Sequence, residues 1–464
     1  MSTAASTHST GLSVVILAAG EGRRMNSRLP KVLQPLAGRP LLAHVLDTAH
    51  RLSPQRILVV YGHAGEQVRA AFPDESVQWV LQERQLGTGH AVQQAVPHVP
   101  DDDTVLVLYG DVPLLGAEPL ARLVRIGAAG ELALLTMVPE DPAGYGRIVR
   151  DASGRVARNV EQKDATPEEL AVRECNTGVL AAPARRLKGW LAQLRNDNAQ
   201  GEYYLTDVIG LAVAQGATVT AVSLADSIDA LGVNDKTQLA QLEAVCRRRA
   251  AQTLMTAGVT VVDPARIDVR GSVTHGQDVF VDVNVVFEGR VKLGNRVRIG
   301  SGCVIRDSEV GDDTELFPFC VLDGAVIGAA ARIGPFSRVR PTTALGPGVH
   351  IGNFVEVKNS TLGTDSKANH LSYVGDAKVG ARVNIGAGTI VANYDGANKH
   401  RTIIHDDAHT GSNSVLVAPI TVGEGATIAA GSTVVHEVPA GRLTIARARQ
   451  STLEDWQRPV KKPK

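Results

Sequence analysis

Apolar residues in the first half of the chain come in short unbroken runs, separated by stretches with helical spacing. Three runs, residues 13–19, Arg56–Tyr61 and Thr104–Tyr109, are apolar almost throughout. The segments Leu41–Arg51 and Ala64–Phe72 instead repeat apolar residues every three or four positions. Strands that are apolar on both faces and alternate with helices are typical of a parallel sheet covered on both sides. The first half is therefore predicted to be a doubly wound α/β domain.

In the second half, aliphatic residues recur every six positions, and glycine often follows them directly. One run that keeps this period comprises Ile327, Ile333, Val339, Leu345, Ile351 and Val357. Since a helix repeats every 3.6 residues and a strand every two, a six-residue period indicates short strands that turn a corner after each repeat. We expect each corner to need a residue with free φ, which would account for the glycines. Stacked coils of this kind predict a β-helix.

The composition agrees with narrow coils. Glycine accounts for 46 of the 464 residues, above the usual share of about 7%, and aromatic residues for only 4%. The period is broken around His370 and over residues 392–409. We expect the second of these segments to loop out, and interruptions of this kind often build sites. Residues 235–257 are predicted to form one long amphipathic helix. The predicted organisation is an α/β domain over 1–234, a linker helix over 235–257, and a β-helix domain with a C-terminal tail over 258–464.

Charge and targeting features narrow the function. The 48 Lys and Arg residues balance 48 Asp and Glu residues, so the basic surface of a nucleic-acid-binding protein is not expected. No run of 18 apolar residues predicts a membrane-spanning helix, and the first twelve residues lack the features of a signal peptide. The four cysteines are far apart, as is typical of proteins in a reducing compartment. We therefore expect a cytoplasmic protein without a nucleic-acid or membrane partner.

A glycine-rich loop, Leu17-Ala-Ala-Gly-Glu-Gly-Arg-Arg24-Met, follows the first predicted strand, and Lys31 comes shortly after it. Free backbone N–H groups in such a loop suit phosphate oxygens, and Arg and Lys add charged donors. The alternative is a tight turn with solvated basic side chains. Asp111 follows the strand Thr104–Tyr109, at the edge where doubly wound sheets place ligand groups, although an aspartate there can also simply cap a turn.

The combination L-x-x-G-x-G-x-R-M with a following Pro-Lys resembles the sugar-phosphate nucleotidyltransferase superfamily, whose α/β domain is Rossmann-like. The resemblance implies catalytic roles for Arg24 and Lys31, and Mg²⁺ bound by Asp111 and Asn234, whose oxygens are the ligands that this ion prefers. It further implies a site for UTP and a sugar nucleotide that is built from Leu17, Ala18, Ala19, Gly20, Lys31, Gln82, Gly87, Thr88, Tyr109, Gly110, Asp111, Gly146, Glu161, Asn176 and Asn234.

The periodic half resembles the hexapeptide-repeat family, whose fold is a left-handed parallel β-helix. Acyl transfer, metal-hydroxide catalysis and an inert trimerisation stem are the alternatives that this resemblance leaves open. His370 favours acyl transfer because imidazole is a good general base near neutral pH, and Glu356 is a candidate to orient it. His400, His405 and His409 lie in the predicted loop and could bind zinc, but ordinary surface histidines are the preferred interpretation.

Both halves in this order resemble the bacterial bifunctional N-acetylglucosamine-1-phosphate uridylyltransferase/glucosamine-1-phosphate acetyltransferase family. The resemblance implies that His370 is the proton acceptor of acetyl transfer. Contacts to the sugar phosphate are implied for Arg340, Lys358, Tyr373 and Asn384. Contacts to acetyl-CoA are implied for Ala387, Asn393, Tyr394, Ser412, Ala430 and Arg447.

The same family implies UTP and acetyl-CoA as co-substrates, glucosamine 1-phosphate and N-acetylglucosamine 1-phosphate as acceptors, and a homotrimer. The runner-up is a monofunctional sugar-1-phosphate nucleotidyltransferase whose β-helix serves assembly or regulation. A non-catalytic scaffold built from the same folds is a further alternative. Of the basic C-terminal tail, only Arg447 is assigned a contact.

Overall fold

The structure is a computed structural model that describes residues 11–62, 65–73 and 75–461. Three predicted features lie partly outside the described residues. They are the N-terminal segment that lacks signal-peptide features (residues 1–10), the start of the helix predicted from Ala64, and the last lysines of the basic tail. The chain divides into two compact units, 1–243 and 244–464. In the part of the chain that the structure describes, no helix is both long and apolar enough to cross a membrane.

The first unit is an α/β domain built around a nine-stranded sheet. Its strands, together with a separate two-stranded hairpin (β2 and β3), are β1 (Leu12–Leu17), β2 (Pro35–Leu36), β3 (Arg39–Pro40), β4 (Arg56–Tyr61), β5 (Gln78–Leu81), β6 (Thr104–Tyr109), β7 (Leu132–Met137), β8 (Arg147–Arg150), β9 (Val156–Val160), β10 (Cys175–Pro183) and β11 (Val219–Ser223). The helices are α1 (Leu41–Arg51), α2 (Gly65–Ala70), α3 (Thr88–Ala95), α4 (Ala117–Ala128), α5 (Pro167–Leu170), α6 (Ala184–Leu191) and α7 (Val208–Ala214).

The three apolar runs form the strands that the sequence predicts. Strand β1 pairs in parallel with both β4 and β6, and all its residues are buried because two hydrophobic clusters cover the two faces of the sheet. Leu17 pairs with Tyr109, so β1 and β6 end side by side. The glycine-rich loop and Asp111 therefore leave the sheet at the same edge.

The sheet is mixed rather than wholly parallel, and this corrects the prediction. Strand β10 lies between β6 and β7 and runs antiparallel to both. A parallel neighbour needs a crossover connection, usually a helix that covers the sheet. The chain between β7 and β10 instead forms the β8–β9 hairpin and the four-residue α5, so it re-enters the sheet in the opposite direction.

Helix α8 spans Lys236–Thr256, against the predicted 235–257, and the division between the two units falls inside it, after Glu243. The assignment of the whole helix as a linker stays a prediction.

The second unit consists almost entirely of short parallel strands. They are β12 (Thr260–Val261), β13 (Ile267–His275), β14 (Phe280–Val281), β15 (Val285–Leu293), β16 (Arg298–Ile299), β17 (Val304–Arg306), β18 (Glu309–Val310), β19 (Glu315–Leu316), β20 (Val321–Asp323), β21 (Val326–Ile327), β22 (Arg332–Ile333), β23 (Arg338–Val339), β24 (Ala344–Leu345), β25 (His350–Asn353), β26 (Glu356–Lys358), β27 (Thr361–Leu362), β28 (Lys367–His370), β29 (Tyr373–Gly375), β30 (Ala377–Val379), β31 (Asn384–Ile385), β32 (Ile390–Ala392), β33 (Thr402–Ile404), β34 (His409–Thr410), β35 (Val415–Val417), β36 (Ile420–Val422), β37 (Thr427–Ile428), β38 (Thr433–Val434) and β39 (Leu443–Thr444).

Strand pairing shows the coil directly. Arg298 pairs with Glu315, and Arg332 with His350, so one coil takes 17 or 18 residues, which is three hexads. The periodic aliphatic residues point inward and form one continuous core along the unit. The prediction of a left-handed parallel β-helix is confirmed.

The period does not break at His370, contrary to the prediction. Leu362, Ala368 and Val374 are buried in the core there. The step from Val357 to Leu362 is five residues instead of six, so it shifts the phase of the repeat without interrupting the coil. One excursion does leave the coil, over residues 393–401, and Thr402 resumes the ladder by pairing with Ala377. The predicted loop 392–409 was therefore too long at its C-terminal end.

Glycines follow the inward residues because the coils lie close together, and the expected need for free φ is not the main cause. A Cβ atom on Gly328 would lie 2.6 Å from the carbonyl carbon of Gly346 on the next coil, and Gly328 itself has no positive φ. The left-handed corner comes two residues later, at Ala330, with φ of 55°. Most of the left-handed corners in this unit are likewise occupied by residues other than glycine.

We predict that Gly328→Ala lowers the free energy of unfolding by about 1–3 kcal/mol, since the added methyl group overpacks a rigid contact between coils. The matched variant Ala330→Gly should change it by less than about 1 kcal/mol, because relief of the left-handed strain offsets the greater freedom of the unfolded chain. Chemical unfolding of the full-length variants measures both. A larger loss in Ala330→Gly than in Gly328→Ala would contradict the explanation.

Candidate active sites

A cavity of about 330 Å³ opens at the carboxyl ends of β1 and β6. It is lined by Leu17, Ala18, Ala19, Gly20, Lys31, Val32, Gln82, Gln85, Gly87, Thr88, Ala91, Tyr109, Asp111 and Glu202. Most of these residues were predicted as nucleotide contacts, whereas Val32, Gln85, Ala91 and Glu202 were not. The fold therefore gathers the residues of the first glycine-rich loop and the Leu-Gly-Thr segment around one space.

Three polar side chains converge at the end of this cavity. The Lys31 ammonium forms an ion pair with Asp111, and its Nζ atom lies 3.4 Å from Asn234 Oδ1. The Lys31 and Asp111 side chains are only 15% and 16% exposed. The backbone N–H of Val233 donates to the carbonyl of Asp111, at 2.9 Å, which brings the 232–234 segment to the same place. A carboxylate oxygen and an amide oxygen thus face a single positive charge.

A second cavity of about 240 Å³ adjoins the first, since both are lined by Thr88, Tyr109 and Glu202. It is also lined by three further predicted residues, Gly146, Glu161 and Asn176. The two cavities form one cleft with two subsites.

Glu161 is held by two residues that sequence reasoning missed. Its Oε1 atom accepts hydrogen bonds from Asn159 Nδ2, at 2.9 Å, and from Thr206 Oγ1, at 2.8 Å. Both donors use the same oxygen, and Glu161 lines the cavity, so its other carboxylate oxygen is available to a ligand. No motif in a single sequence marks either donor, since Asn159 lies in strand β9 and Thr206 just before helix α7.

Tyr109 separates the two subsites. Burial raises the pKa of its phenol well above the usual range, and the charges of Glu161 and Asp111 raise it further. The hydroxyl is therefore neutral at any physiological pH and able to donate a hydrogen bond. Gly178 lies against the ring: a Cβ atom there would be 2.6 Å from the phenol oxygen.

Arg24 is not brought into the cleft. It is exposed in a single turn of 3₁₀ helix, Arg23–Met25, and does not line either cavity. The turn begins at Gly22, whose φ is 64° and whose Cβ atom would lie 2.7 Å from Lys31 Cβ. The loop therefore folds onto Lys31, which places Lys31 but not Arg24 at the cavity wall.

In the β-helix, charged residues stack along one face with alternating sign. From Arg270 the column continues through Glu288, Arg306 and Asp323, each paired with the residue on the next coil. The ion-pair distances are 3.0 Å between Arg270 and Glu288 and 3.6 Å between Arg306 and Asp323.

The alternation ends where the predicted sugar-phosphate contacts begin. Val339 pairs with Val357, so the next residues, Arg340 and Lys358, are neighbours of like charge. Among the described residues, Lys358 makes no ion pair. Because Glu356 offsets the charge of Arg340, Lys358 is the basic group at this point that is left to bind an anion such as a phosphate group.

Glu356 binds Arg340 rather than His370. Its Oε1 atom accepts a hydrogen bond from Arg340 Nη1 at 2.8 Å, and the next residue in register is Tyr373. The proposed role of Glu356 in orienting His370 has no support, because His370 lies on β28, which belongs to the other sheet. His370 is exposed at the end of that strand, opposite Asn353.

The predicted acetyl-CoA contacts fall along one edge of the β-helix. The carbonyl of Ala387 accepts from the Asn413 N–H at 2.7 Å, and the carbonyl of Ser412 from the Gly431 N–H at 2.8 Å. Arg447 Nη1 donates to the carbonyl of Ala430 at 2.7 Å. Ala387, Ser412 and Ala430 thus occupy equivalent positions on successive coils. The other two residues predicted for acetyl-CoA, Asn393 and Tyr394, lie at the start of the excursion. Asn384, which was predicted to contact the sugar phosphate, lies on the sheet that carries His370.

The three histidines considered for zinc are not in one loop. His400 lies in the excursion and its Nε2 atom is 2.6 Å from Asp395 Oδ2. His405 and His409 lie on the coil, where their backbone N–H groups donate to the backbone carbonyls of Val422 and Ala426. Over residues 11–62, 65–73 and 75–461, no three potential metal-ligating side chains are close enough to hold an ion.

Two family models match the chain. Residues 14–200 match the MobA-like NTP transferase domain, and residues 272–307, 324–359 and 401–436 match the bacterial transferase hexapeptide family of six repeats. A protein of Azoarcus sp. (strain BH72), named "Bifunctional protein GlmU", is 58% identical over 97% of this chain and 100% of its own length. A protein of the same name from Ralstonia nicotianae is 58% identical over 98% of this chain and 100% of its own.

The chain belongs to the GlmU family. It is accordingly a bifunctional enzyme that combines a nucleotidyltransferase domain with a hexapeptide-repeat transferase domain. The crystal structure of UDP-glucose pyrophosphorylase complexed with UDP-glucose aligns with 51% of this chain and 98% of that one, at 14% identity and a TM-score of 0.43. That likeness is too weak to add to the assignment.

A carboxyl group near Glu161 gives a pH-dependent prediction. Asp207 lines a polar cavity of about 740 Å³, where partial desolvation, and then the charges of Glu161 and Asp164, raise its pKa to about 6. A raised pKa means that Asp207 favours folding below its unfolded pKa near 4, and that this contribution is lost as the pH rises through 6.

We therefore predict that Asp207→Asn is more stable than the wild type at pH 8 and equally stable at pH 3.5. The difference at pH 8 should be about 1 kcal/mol or less, since the side chain is solvent-exposed. The unfolding midpoint at the two pH values measures this. Asp197→Asn, which replaces another exposed acid of the same unit, is the control and should show no such pH dependence.

Proposed function

We propose that the chain catalyses two successive transfers. In the β-helix unit, acetyl-CoA acetylates the amine of glucosamine 1-phosphate. In the α/β unit, the phosphate of the resulting N-acetylglucosamine 1-phosphate attacks the α-phosphate of UTP, giving UDP-N-acetylglucosamine and pyrophosphate. The observation that carries the proposal is that each unit places basic side chains where they could bind phosphate: Lys31 lines the cleft of one unit, and Arg340 and Lys358 are neighbours on successive coils of the other.

For uridylyl transfer, Lys31 is the residue best placed to offset charge on the phosphates. Nucleotidyl transfer needs little covalent chemistry from the protein, because the substrate's own phosphate oxygen is the nucleophile. Gln82 and Thr88 line the first subsite, which we assign to the nucleotide, and Glu161 and Asn176 line the second, which we assign to the sugar. Arg24 is exposed, so it can contact the phosphates only if its loop moves. We keep that contact as part of the proposal.

The residues present fit Mg²⁺ at the nucleotidyl site. Asp111 and Asn234 turn their oxygens toward one cation, the Lys31 ammonium, which stands in for a bound metal ion. Two protein oxygens leave the remaining positions to phosphates and water, as Mg²⁺ prefers. When bound, the ion would neutralise charge on the phosphates, and Asp111 and Asn234 would hold it.

For acetyl transfer, the substrate amine must lose a proton as it attacks the thioester carbonyl. We assign the proton to His370, while the carbon–sulfur bond breaks and coenzyme A leaves as its thiolate. Arg340 and Lys358 would bind the sugar phosphate, with Tyr373 beside them. Ala387, Ser412, Ala430 and Arg447 would bind acetyl-CoA along their edge of the coil.

A homotrimer in the cytoplasm completes the proposal. His370 and Asn384 lie on a different face of the β-helix from Arg340, Lys358 and Tyr373, so a second copy of the chain would help to enclose the substrate. Light scattering at the mass of three 48.9 kDa chains would support this, whereas an active monomer would count against it. The cytoplasmic location is supported by cysteines that are free thiols in the structure.

The two-site division predicts opposite effects for two substitutions. His370→Ala should lower acetyl transfer by at least about 10²-fold, the usual contribution of a general base, and leave uridylyl transfer unchanged. Asp111→Ala should do the reverse. Release of free thiol from acetyl-CoA with glucosamine 1-phosphate measures the first activity, and pyrophosphate release from UTP measures the second.

The same assays test the alternative. A folded wild-type chain that releases no thiol while it releases pyrophosphate would favour a monofunctional nucleotidyltransferase with a structural β-helix. Loss of both activities in either folded variant would contradict the division into two sites.

The end of the charge column predicts a substrate-specific effect. Lys358→Met should raise the KM for glucosamine 1-phosphate about tenfold or more, since one charge-assisted contact to phosphate is lost, with little change in the KM for acetyl-CoA. The matched control is Lys378→Met, which removes an exposed lysine of the same β-helix. Equal effects of Lys358→Met on both KM values would contradict phosphate binding at this position.

A further inference from the structure

Asp376 is a nearly buried carboxylate that the proposed chemistry does not yet use. It follows strand β29 at a left-handed corner, with φ of 51°, and is 7% exposed. Its Oδ1 atom accepts a hydrogen bond from Asn359 Nδ2, and its Oδ2 atom accepts one from Asn393 Nδ2. Both carboxylate oxygens are thus used by amides, one on the coil before and one at the base of the excursion.

These residues belong to one corner column, which we define as Thr342, Asn359, Asp376 and Asn393 at equivalent positions of successive coils. Thr342 Oγ1 donates to Asn359 Oδ1 at 2.8 Å. The hydrogen bonds therefore lead from Thr342 through Asn359 to Asp376, and a second one reaches Asp376 from Asn393. Asp376 is the common acceptor.

The charge on Asp376 decides how the amides are oriented. Burial alone would raise its pKa, but hydrogen bonds from Asn359 and Asn393 and the charges of Lys358 and Lys399 outweigh burial and lower it. The group is therefore a carboxylate at neutral pH, and a carboxylate only accepts hydrogen bonds. Each amide must turn its NH₂ group toward it, which leaves the oxygen of Asn393 pointing away.

The oriented amide lies beside the predicted acetyl-transfer residues. The side-chain nitrogen Nδ2 of Asn393 is 3.5 Å from the Tyr373 hydroxyl. The backbone carbonyl of Asn393 accepts a hydrogen bond from the backbone N–H of His400 at 2.8 Å, which closes the base of the excursion. An amide oxygen that is fixed as an acceptor can bind an N–H group of the attacking amine. The lone pair of the amine nitrogen is then free to point at the thioester carbon.

We propose that Asp376 is a positioning residue for acetyl transfer: it fixes the carboxamide of Asn393 with its oxygen available as an acceptor for the amine of the amino sugar. This inference rests on the proposed acetyltransferase function of the β-helix unit. It assigns to Asp376 no contact with substrate, and it makes Asn393 a contact to the amine in addition to its predicted contact with acetyl-CoA.

The test is a double-mutant cycle on the full-length protein. Asp376→Asn keeps the size of the side chain but presents an amide that can also donate, so the Asn393 carboxamide is free to turn over. We expect the kcat of acetyl transfer to fall about 10- to 100-fold, as misplaced reacting groups cost. In the Asn393→Ala background, adding Asp376→Asn should lower the kcat of acetyl transfer by a further factor of less than about three. Equal factors in both backgrounds would mean a merely structural role and overturn the proposal.

An exchange of the two groups gives a second, independent readout. The double variant Asp376→Asn with Asn393→Asp restores one amide and one carboxylate and still presents an acceptor oxygen, so its kcat should exceed that of either single variant. Asp365→Asn is the matched control, because Asp365 is a left-handed corner aspartate of the same coil and is exposed. An exchange variant no better than the single variants would count against the orientation argument.

Two further measurements separate this inference from the function on which it rests. Uridylyl transfer should be unchanged in every variant, which shows that the chain is folded. If the wild type released no thiol with glucosamine 1-phosphate, the acetyltransferase function itself would fail. If the wild type is active and Asp376→Asn matches it, only the role of Asp376 is overturned.

Discussion

The close stacking of successive coils is the constraint on which the β-helix unit depends. Backbone pairing places strand residues directly over partners that lie 17 or 18 positions away on most coils, and 25 positions away across the excursion. Inward positions must then hold compact aliphatic residues, and positions where backbones approach most closely must hold glycine, as at Gly328. The same stacking aligns the rings of Phe319, Phe336 and Phe354, with centroids 5.2 and 5.3 Å apart. Side-chain chemistry in this unit is therefore organised in columns, and a site arises where a column changes its character.

Much of the fold was predictable because periodicity reports burial. Runs that are apolar on both faces became β1, β4 and β6, and the six-residue period became the coil. The direction of β10 was not predictable, since it depends on how the chain returns from the β8–β9 hairpin rather than on the residues of the strand. The five-residue steps near Ala368 were mistaken for a break because a change of phase and a loss of structure look alike in one sequence.

The candidate sites were predicted in part. Lys31, Asp111 and Asn234 are recognisable by their motifs, but only the fold brings Lys31 and Asn234 together, across 203 positions of sequence. Asn159 and Thr206 carry no local signal, because they act by holding Glu161 rather than by a motif of their own. The role first given to Glu356 has no support for a related reason: a single sequence does not show that Glu356 and His370 join different sheets of the coil.

The two units build sites by different means, and this difference explains what each site still needs. At the edge of an α/β sheet, loops from distant parts of the chain surround a cleft, and one chain can supply both subsites and their charges. A three-sided coil presents flat faces and outward corners, so residues on two different faces cannot enclose a substrate unaided. Enclosure must come from a segment that leaves the coil or from a second chain. The excursion at 393–401 is such a segment, and its base is tied to the coil at Asp376, where the corner column meets the residues predicted for acetyl transfer.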